Sequence, residues 1–241
     1  MDSAPDASKR SPLSIVMDVI VAPKSAFEAL DARPRWLVAY LLVCALGILG
    51  SILQIPVGEH IGTATLDHLA AHDPSMASVT PEKLASMKTF TVTLQRFIWI
   101  AYPLIAIIGI SIAALLLLVG NAIGGGRGTF AKYFALAANV AILNFGIAWA
   151  LLGVLCALHS PEGFDTQADL LRLLPSLAWI APDASPKMTV FLQDFNPFTI
   201  WSFVLLALGA QTIGKISAPI AYVTAAVITF SNLLVSVPFA K

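Results

Sequence analysis

The sequence predicts an all-α integral membrane bundle of five transmembrane helices, preceded by a short N-terminal interfacial helix. Three observations predict it. The chain of 241 residues is 58% hydrophobic and only 12% charged, about half the charged share of an ordinary soluble domain. Its mean hydropathy is +0.83. Its apolar residues gather into five runs whose cores hold no Asp, Glu, Lys, Arg or His. Each run approaches the roughly 20 residues that a helix needs to cross about 30 Å of hydrocarbon. A soluble helix carries a polar stripe along one side, and these runs carry none.

Residues 1–35 form an expected cytoplasmic segment. Asp18 interrupts the apolar run at 13–22 and no A-x-A site follows, which argues against a signal peptide. The stretch APKSAFEALDARP places Pro23 in a first helical turn and sets Phe27 and Leu30 on one face. It predicts a short helix lying on the cytoplasmic leaflet. Residues 36–240 form the expected membrane domain, with spans at about 36–57, 97–121, 133–158, 197–214 and 217–239.

Between the first two spans, 57–96 reads as a long outer loop. Thr80 followed by Pro81 marks a helix start that runs into the second span. Spans two and three are joined by GNAIGGGRGTFAK, a glycine-rich inner turn. The second outer loop, 159–196, contains FDTQADLLRLL, expected to form a short helix capped by Asp165. It also contains LLPSLAWIAP, too short to cross. The fourth span opens on DFNPFTIW, where Asn196 is the expected N-cap and Pro197 the first helical residue. Asp194 lies beside the positive end of that helix dipole. Phe195, Phe198 and Trp201 form an aromatic collar suited to a bilayer boundary.

If five spans alternate, the N-terminal segment, the glycine-rich turn and the turn at Lys215 share one side. They hold eight of the 14 Lys and Arg residues, and the two outer loops hold nine of the 14 acids. The basic bias places the N-terminus in the cytoplasm and the C-terminus outside. Zero net charge excludes a strongly basic nucleic-acid binder, so no nucleic acid is expected as a partner.

No residues stand out as catalytic or cofactor-binding. His68 and His72, four apart with Asp67 and Asp73 beside them, are the only metal candidates. They lack the H-E-x-x-H pattern of a zinc protease helix, and a solvated outer loop accounts for them. GGGRGT lacks the lysine of a phosphate-binding Walker loop. Cys44 and Cys156 fall in apolar runs and read as small packing residues. Inside the expected spans the polar residues are Asn139, Asn144, Gln211 and Asn232. Buried amides of this kind hold helices together in lipid. Small residues four apart, such as Gly47 with Ser51 and Gly153 with Ala157, permit close backbone approach within the bundle or between copies.

Three stretches resemble the Yip1 domain, in its bacterial branch. They are APKSAFEAL with Pro23, Ala26 and Phe27, GGGRGTFAKYFALAA with Gly125, Gly128 and Phe130, and DFNPFTIWSFVLLALGAQTIGKIS with Asp194, Phe198, Trp201 and Gly209. The resemblance implies a five-span fold in which these residues are structural marks, with no recognised catalytic site or cofactor. In the eukaryotic branch it implies roles in membrane traffic and binding of small prenylated GTPases. This chain lacks that branch's long hydrophilic N-terminal region and DLYGP-like sequence, which argues against GTPase binding here. The expected function is that of a non-enzymatic multi-pass protein of a bacterial cytoplasmic membrane. It would organise membrane lipids, other membrane proteins or copies of itself. The alternative is a permeation or efflux component for an uncharged or lipid-like solute, with a cavity lined by the intramembrane amides.

Overall fold

The structure, a computed structural model, describes residues 11–231 together with Leu233 and Val237. Its regular elements are all helical. Helices α1 (Pro12–Val21) and α2 (Pro23–Ala32) form an N-terminal hairpin. The α1 helix is capped by the Ser11 side chain, which accepts from the Ser14 N–H. Asp18 does not end this helix, although it breaks the apolar run. Pro23 starts α2, as its fixed φ and missing N–H favour. The apolar face of α2 is turned to the bundle rather than to a leaflet. Ala26, Phe27 and Leu30 are completely buried in the main core, with Tyr133, Leu136, Leu205 and Ala210.

The first expected span is broken. Helix α3 (Leu37–Leu53) stops at Gln54, and α4 (Ile55–His72) leaves at an angle of 55°. Pro56 accounts for the break. It lacks the N–H that would continue the α3 ladder, and it occupies the first turn of α4 instead. Much of the segment expected as a loop at 57–96 is therefore helix.

Helix α5 (Pro81–Ile123) runs for 43 residues. Its start is capped by Thr80, whose hydroxyl oxygen accepts from the Lys83 N–H at 3.3 Å. Its length of about 65 Å is roughly twice the hydrocarbon thickness. The early part of α5 pairs with α4 through Asp67–Lys88 and Glu59–Arg96, both at 2.6 Å. Then follow α6 (Phe130–Ala141), a π-helical stretch at Ile142–Ala148 and α7 (Trp149–Ala157), continuous over Phe130–Ala157. The segment between α7 and α10 carries α8 (Gln167–Leu171) and α9 (Pro186–Gln193). Thr166, not Asp165, caps α8. Its hydroxyl accepts from the Asp169 N–H, and the Asp169 carboxylate accepts from the Thr166 N–H, a reciprocal pair that Asp165 cannot make. LLPSLAWIAP forms only a short 3₁₀ turn at Leu177–Ile180.

Helix α10 (Pro197–Gly214) starts as its sequence predicts, with the Asn196 side chain accepting from the Thr199 N–H at 2.9 Å. Helix α11 is described over Ala218–Phe230. Among the described residues three helices are long and apolar enough to cross a membrane: α5, the α6–α7 rod and α10. A fourth crossing results if the bent α3–α4 pair counts as one. The described part of α11 has 13 residues, too few for a crossing by itself. Most of the remainder of the expected fifth span, including Asn232, lies outside the described residues.

Helix α3 packs closely on α7. A Cβ on Gly153 would lie 2.6 Å from the Gly50 carbonyl oxygen, so bare backbones meet there. The Trp149 indole N–H donates to Ser51 Oγ at 3.0 Å across the same interface. Cys44 and Cys156 are buried free thiols.

Candidate functional site

Two places concentrate polar groups, at opposite ends of α10. At the C-terminal end, the glycine-rich turn between α5 and α6 and the end of α10 interlock. The Tyr133 hydroxyl donates to Asn121 Oδ1 at 2.8 Å, and the Gly128 N–H donates to the same oxygen at 2.9 Å. The Arg127 N–H donates to the Gly214 carbonyl at 2.8 Å. Gly125 adopts φ +63°, the left-handed conformation that turns the chain between α5 and α6. Lys132 Nζ sits 2.6 Å from one carboxylate oxygen of Asp31, and Lys215 Nζ sits 4.0 Å from the other. Asn139 donates to the Arg35 carbonyl at 2.9 Å and to the Ala135 carbonyl at 2.8 Å. Gln211 donates to the Ala207 carbonyl of its own helix. These groups are satisfied within the protein, so this end holds the bundle together.

The N-terminal end of α10 borders a cavity of about 510 Å³ between α5, the α6–α7 rod, α10 and α11. Gly109, Ile110, Ala113, Val140 and Leu206 form part of its apolar wall. Asn144, Asp194, Asn196, Thr199, Ser202, Thr229 and Ser231 supply side-chain polar groups to it. Asn144 Nδ2 donates to Ser202 Oγ at 3.1 Å. Asp194 Oδ2 and Thr229 Oγ1 are buried and have no hydrogen-bond partner among the described residues. Burial raises the Asp194 pKa above the ordinary carboxylate value. Phe198 packs on a separate hydrophobic cluster that includes Phe164 and Leu170, and Trp201 is partly exposed.

A second recess, of about 590 Å³, lies between α3, α4, α5 and the π-helical stretch. Ser51, Gln54, Thr91, Gln95 and Gln167 line it. Asn144, Phe145 and Trp149 line both spaces, so one thin wall separates them. That wall is the π-helical stretch and the start of α7. A π turn leaves a carbonyl poorly placed for the usual helical bond. Here the Tyr102 hydroxyl donates to the Phe145 carbonyl and satisfies it.

The structure places the sequence candidates apart. His68 and His72 share a face of α4, with rings stacked at 4.5 Å, and the His72 Nδ1 faces the His68 carbonyl at 3.0 Å. Among the described residues no group of three or more His, Cys, Asp or Glu side chains could hold a metal ion. Of the described intramembrane amides, Asn144 lines both recesses, and Asn139 and Gln211 line neither. Gly209 and Ala26 are buried structural positions, and Phe130 begins α6. Sequence reasoning missed Asn121, because it stands at the margin of a span. Its signal was an amide placed directly before a run of glycines, where free backbone N–H groups need an acceptor.

An apolar helical bundle with a polar lock at one end and lateral cavities defines a class, that of multi-pass membrane proteins. Within that class the chain belongs to the Yip1 domain family, whose match covers residues 17–237. It is similar to the membrane protein YknW of Bacillus subtilis (strain 168), with 30% identity over 218 residues, 90% of this chain and 85% of that protein. No solved structure matches it.

Proposed function

We propose that this Yip1-family protein is a non-enzymatic organiser of partner proteins or lipids in a bacterial cytoplasmic membrane. In this reading the chain crosses five times, with its N-terminus cytoplasmic and its C-terminus outside. The carrying observation is the face of α5. Only 28% of its membrane window is buried inside the protein. Leu104, Ile108, Ile112 and Leu115 are about half exposed or more, and they form an apolar strip at helical spacing. A strip of this kind meets lipid or a second apolar helix. Photocrosslinking from position 104 or 108 in cells tests the reading. Discrete crosslinked membrane proteins, a second copy of this chain, or a defined lipid support it. Purely diffuse labelling at both positions contradicts it.

A second reading, permeation of an uncharged or lipid-like solute, draws on the two recesses that share Asn144, Phe145 and Trp149. Movement of the Phe145 or Trp149 side chain would join them. Flux across reconstituted vesicles that increases on Phe145→Ala supports this reading. Vesicles without flux, wild type and variant alike, remove it.

A further inference from the structure

We propose that the 510 Å³ cavity is a binding site for a single-chain amphiphile with a cationic ammonium head, the head at Asp194 and the alkyl chain along the apolar wall. This deepens the lipid side of the function proposed above and rests on the chain being an integral membrane bundle.

Four observations converge on that chemistry. The volume is within the range of about 300–1,000 Å³ typical of small-molecule sites. The polar groups are unevenly distributed. Asp194, Asn196 and Thr199 border the start of α10, the Asn144–Ser202 pair lies one turn further along, and Thr229 and Ser231 lie at the end of the described α11, whose Phe230 stacks on Phe195 at 5.2 Å. Much of the remaining wall comes from Ile110, Ala113, Leu116, Val140 and Leu206. The space therefore has one wet end and one dry end, as an amphiphile does.

The third observation is charge. Asp194 is the only ionisable side chain among the described lining residues, and no Lys, Arg or His accompanies it. A buried carboxylate without a cation is costly, and a ligand that brings a positive charge and N–H donors relieves it. Asp194 Oδ2 and Thr229 Oγ1 are the free acceptors for those donors. The same lining disfavours a phospholipid. A phosphate would enter beside Asp194 with no basic side chain to receive it. An alkyl sulfate is excluded by the same argument.

The fourth observation is access. Ile112 and Phe145 line the cavity and are 52% and 39% exposed. Part of the cavity lining is therefore accessible from the surface of the bundle, which lipid covers in this reading. An amphiphile can enter chain and head together from the outer part of the bilayer without passing through water.

The test uses the full chain in phosphatidylcholine nanodiscs, with dodecylammonium as probe and dodecyl sulfate as control. Quenching of Trp149 by bromine-labelled chains, taken as wild type minus Trp149→Phe, reports a chain beside Trp149. Because Trp149 lines both recesses, loss of the signal in Ala113→Phe, at a position lining this cavity and not the other, assigns it here. The expected result is saturable binding of dodecylammonium, one per chain, and no saturable binding of dodecyl sulfate. Asp194→Asn weakens binding by about tenfold or more, the size of one charge-assisted hydrogen bond. Asp194→Glu largely keeps it. Ala113→Phe, which fills the dry end, abolishes it while the protein stays folded. Equal binding of both probes, or unchanged dodecylammonium affinity in Asp194→Asn, overturns the proposal. Equally effective displacement by phosphatidylethanolamine overturns it in favour of a bilayer lipid. A chain that gives discrete partners in the crosslinking experiment but leaves dodecylammonium unbound sinks this site alone and leaves the organising role standing.

Discussion

Asn121 Oδ1 accepts from both the Tyr133 hydroxyl, at 2.8 Å, and the Gly128 N–H, at 2.9 Å. One amide oxygen thus ties the end of α5 to the glycine-rich turn and to the first turn of α6. Asn121→Ala strands two donors in a largely buried place. Each stranded donor costs about 1–3 kcal/mol. Tyr133→Phe removes a donor and leaves the Gly128 bond intact, so its cost is smaller. Thermal unfolding in mild detergent should rank them wild type, Tyr133→Phe, Asn121→Ala in falling stability. Equal stability of all three would show that the lock carries no weight.

Gly153 faces the Gly50 backbone so closely that any side chain must push α3 and α7 apart. Gly153→Val should lower the unfolding temperature strongly, by an amount typical of overpacking, about 1–3 kcal/mol. Gly163, which has open space where a Cβ would stand, provides the control. Gly163→Ala should change little. A neutral Gly153→Val would contradict the direct approach of the two backbones.

Asp194 has a raised pKa in the folded protein because burial penalises its charge. A carboxyl with a raised folded pKa favours the fold below its unfolded pKa of about 3.9, and that contribution is lost as pH rises through the folded value. Asp194→Asn should therefore be more stable than wild type at neutral pH. The difference should vanish in acid, where both side chains are neutral. Unfolding temperatures across pH 3–8 check this, with each kcal/mol worth about 2–4 °C in a chain of this size. An advantage of the variant that persists unchanged in acid would contradict the assignment to buried charge.

The histidine pair on α4 should bind no stoichiometric zinc. Two stacked imidazoles supply too few ligands for a closed site, and neighbouring Asp67 pairs with Lys88. Metal analysis of the purified protein checks this, and one zinc per chain lost in His68→Ala would contradict it.

Much of the architecture was legible because bilayer thickness imposes a length on uncharged runs. The starts of α5 and α10 were legible for a more local reason. Thr80–Pro81 and Asn196–Pro197 each combine a side-chain acceptor with a residue lacking an N–H. The bend at Gln54 was hidden because hydropathy averages over Pro56. The helical character of 57–96 was hidden because charge was read as loop, although α4 and α5 pair their charges with each other outside the apolar zone. The site was less legible. Asn144 stood out as an amide in an apolar run. That Asp194 lines the same cavity depends on how the segment between α7 and α10 packs against the helices, and no local pattern carries that. Asn139 and Gln211 are equally conspicuous in sequence yet bond within the bundle or their own helix.

The central claim is that residues far apart in sequence meet at one face of a membrane-embedded bundle, with the Asp194 end at the other. Cysteine labelling in intact cells tests it most directly, after Cys44 and Cys156 are replaced by Ala. Single cysteines at Ser25, Arg127 and Lys215 should react with a membrane-impermeant maleimide only after permeabilisation, and cysteines at Asp165 and Ser185 should react without it. Labelling that divides Ser25, Arg127 and Lys215 between the two sides, or that reaches all five positions in intact cells, would contradict the account.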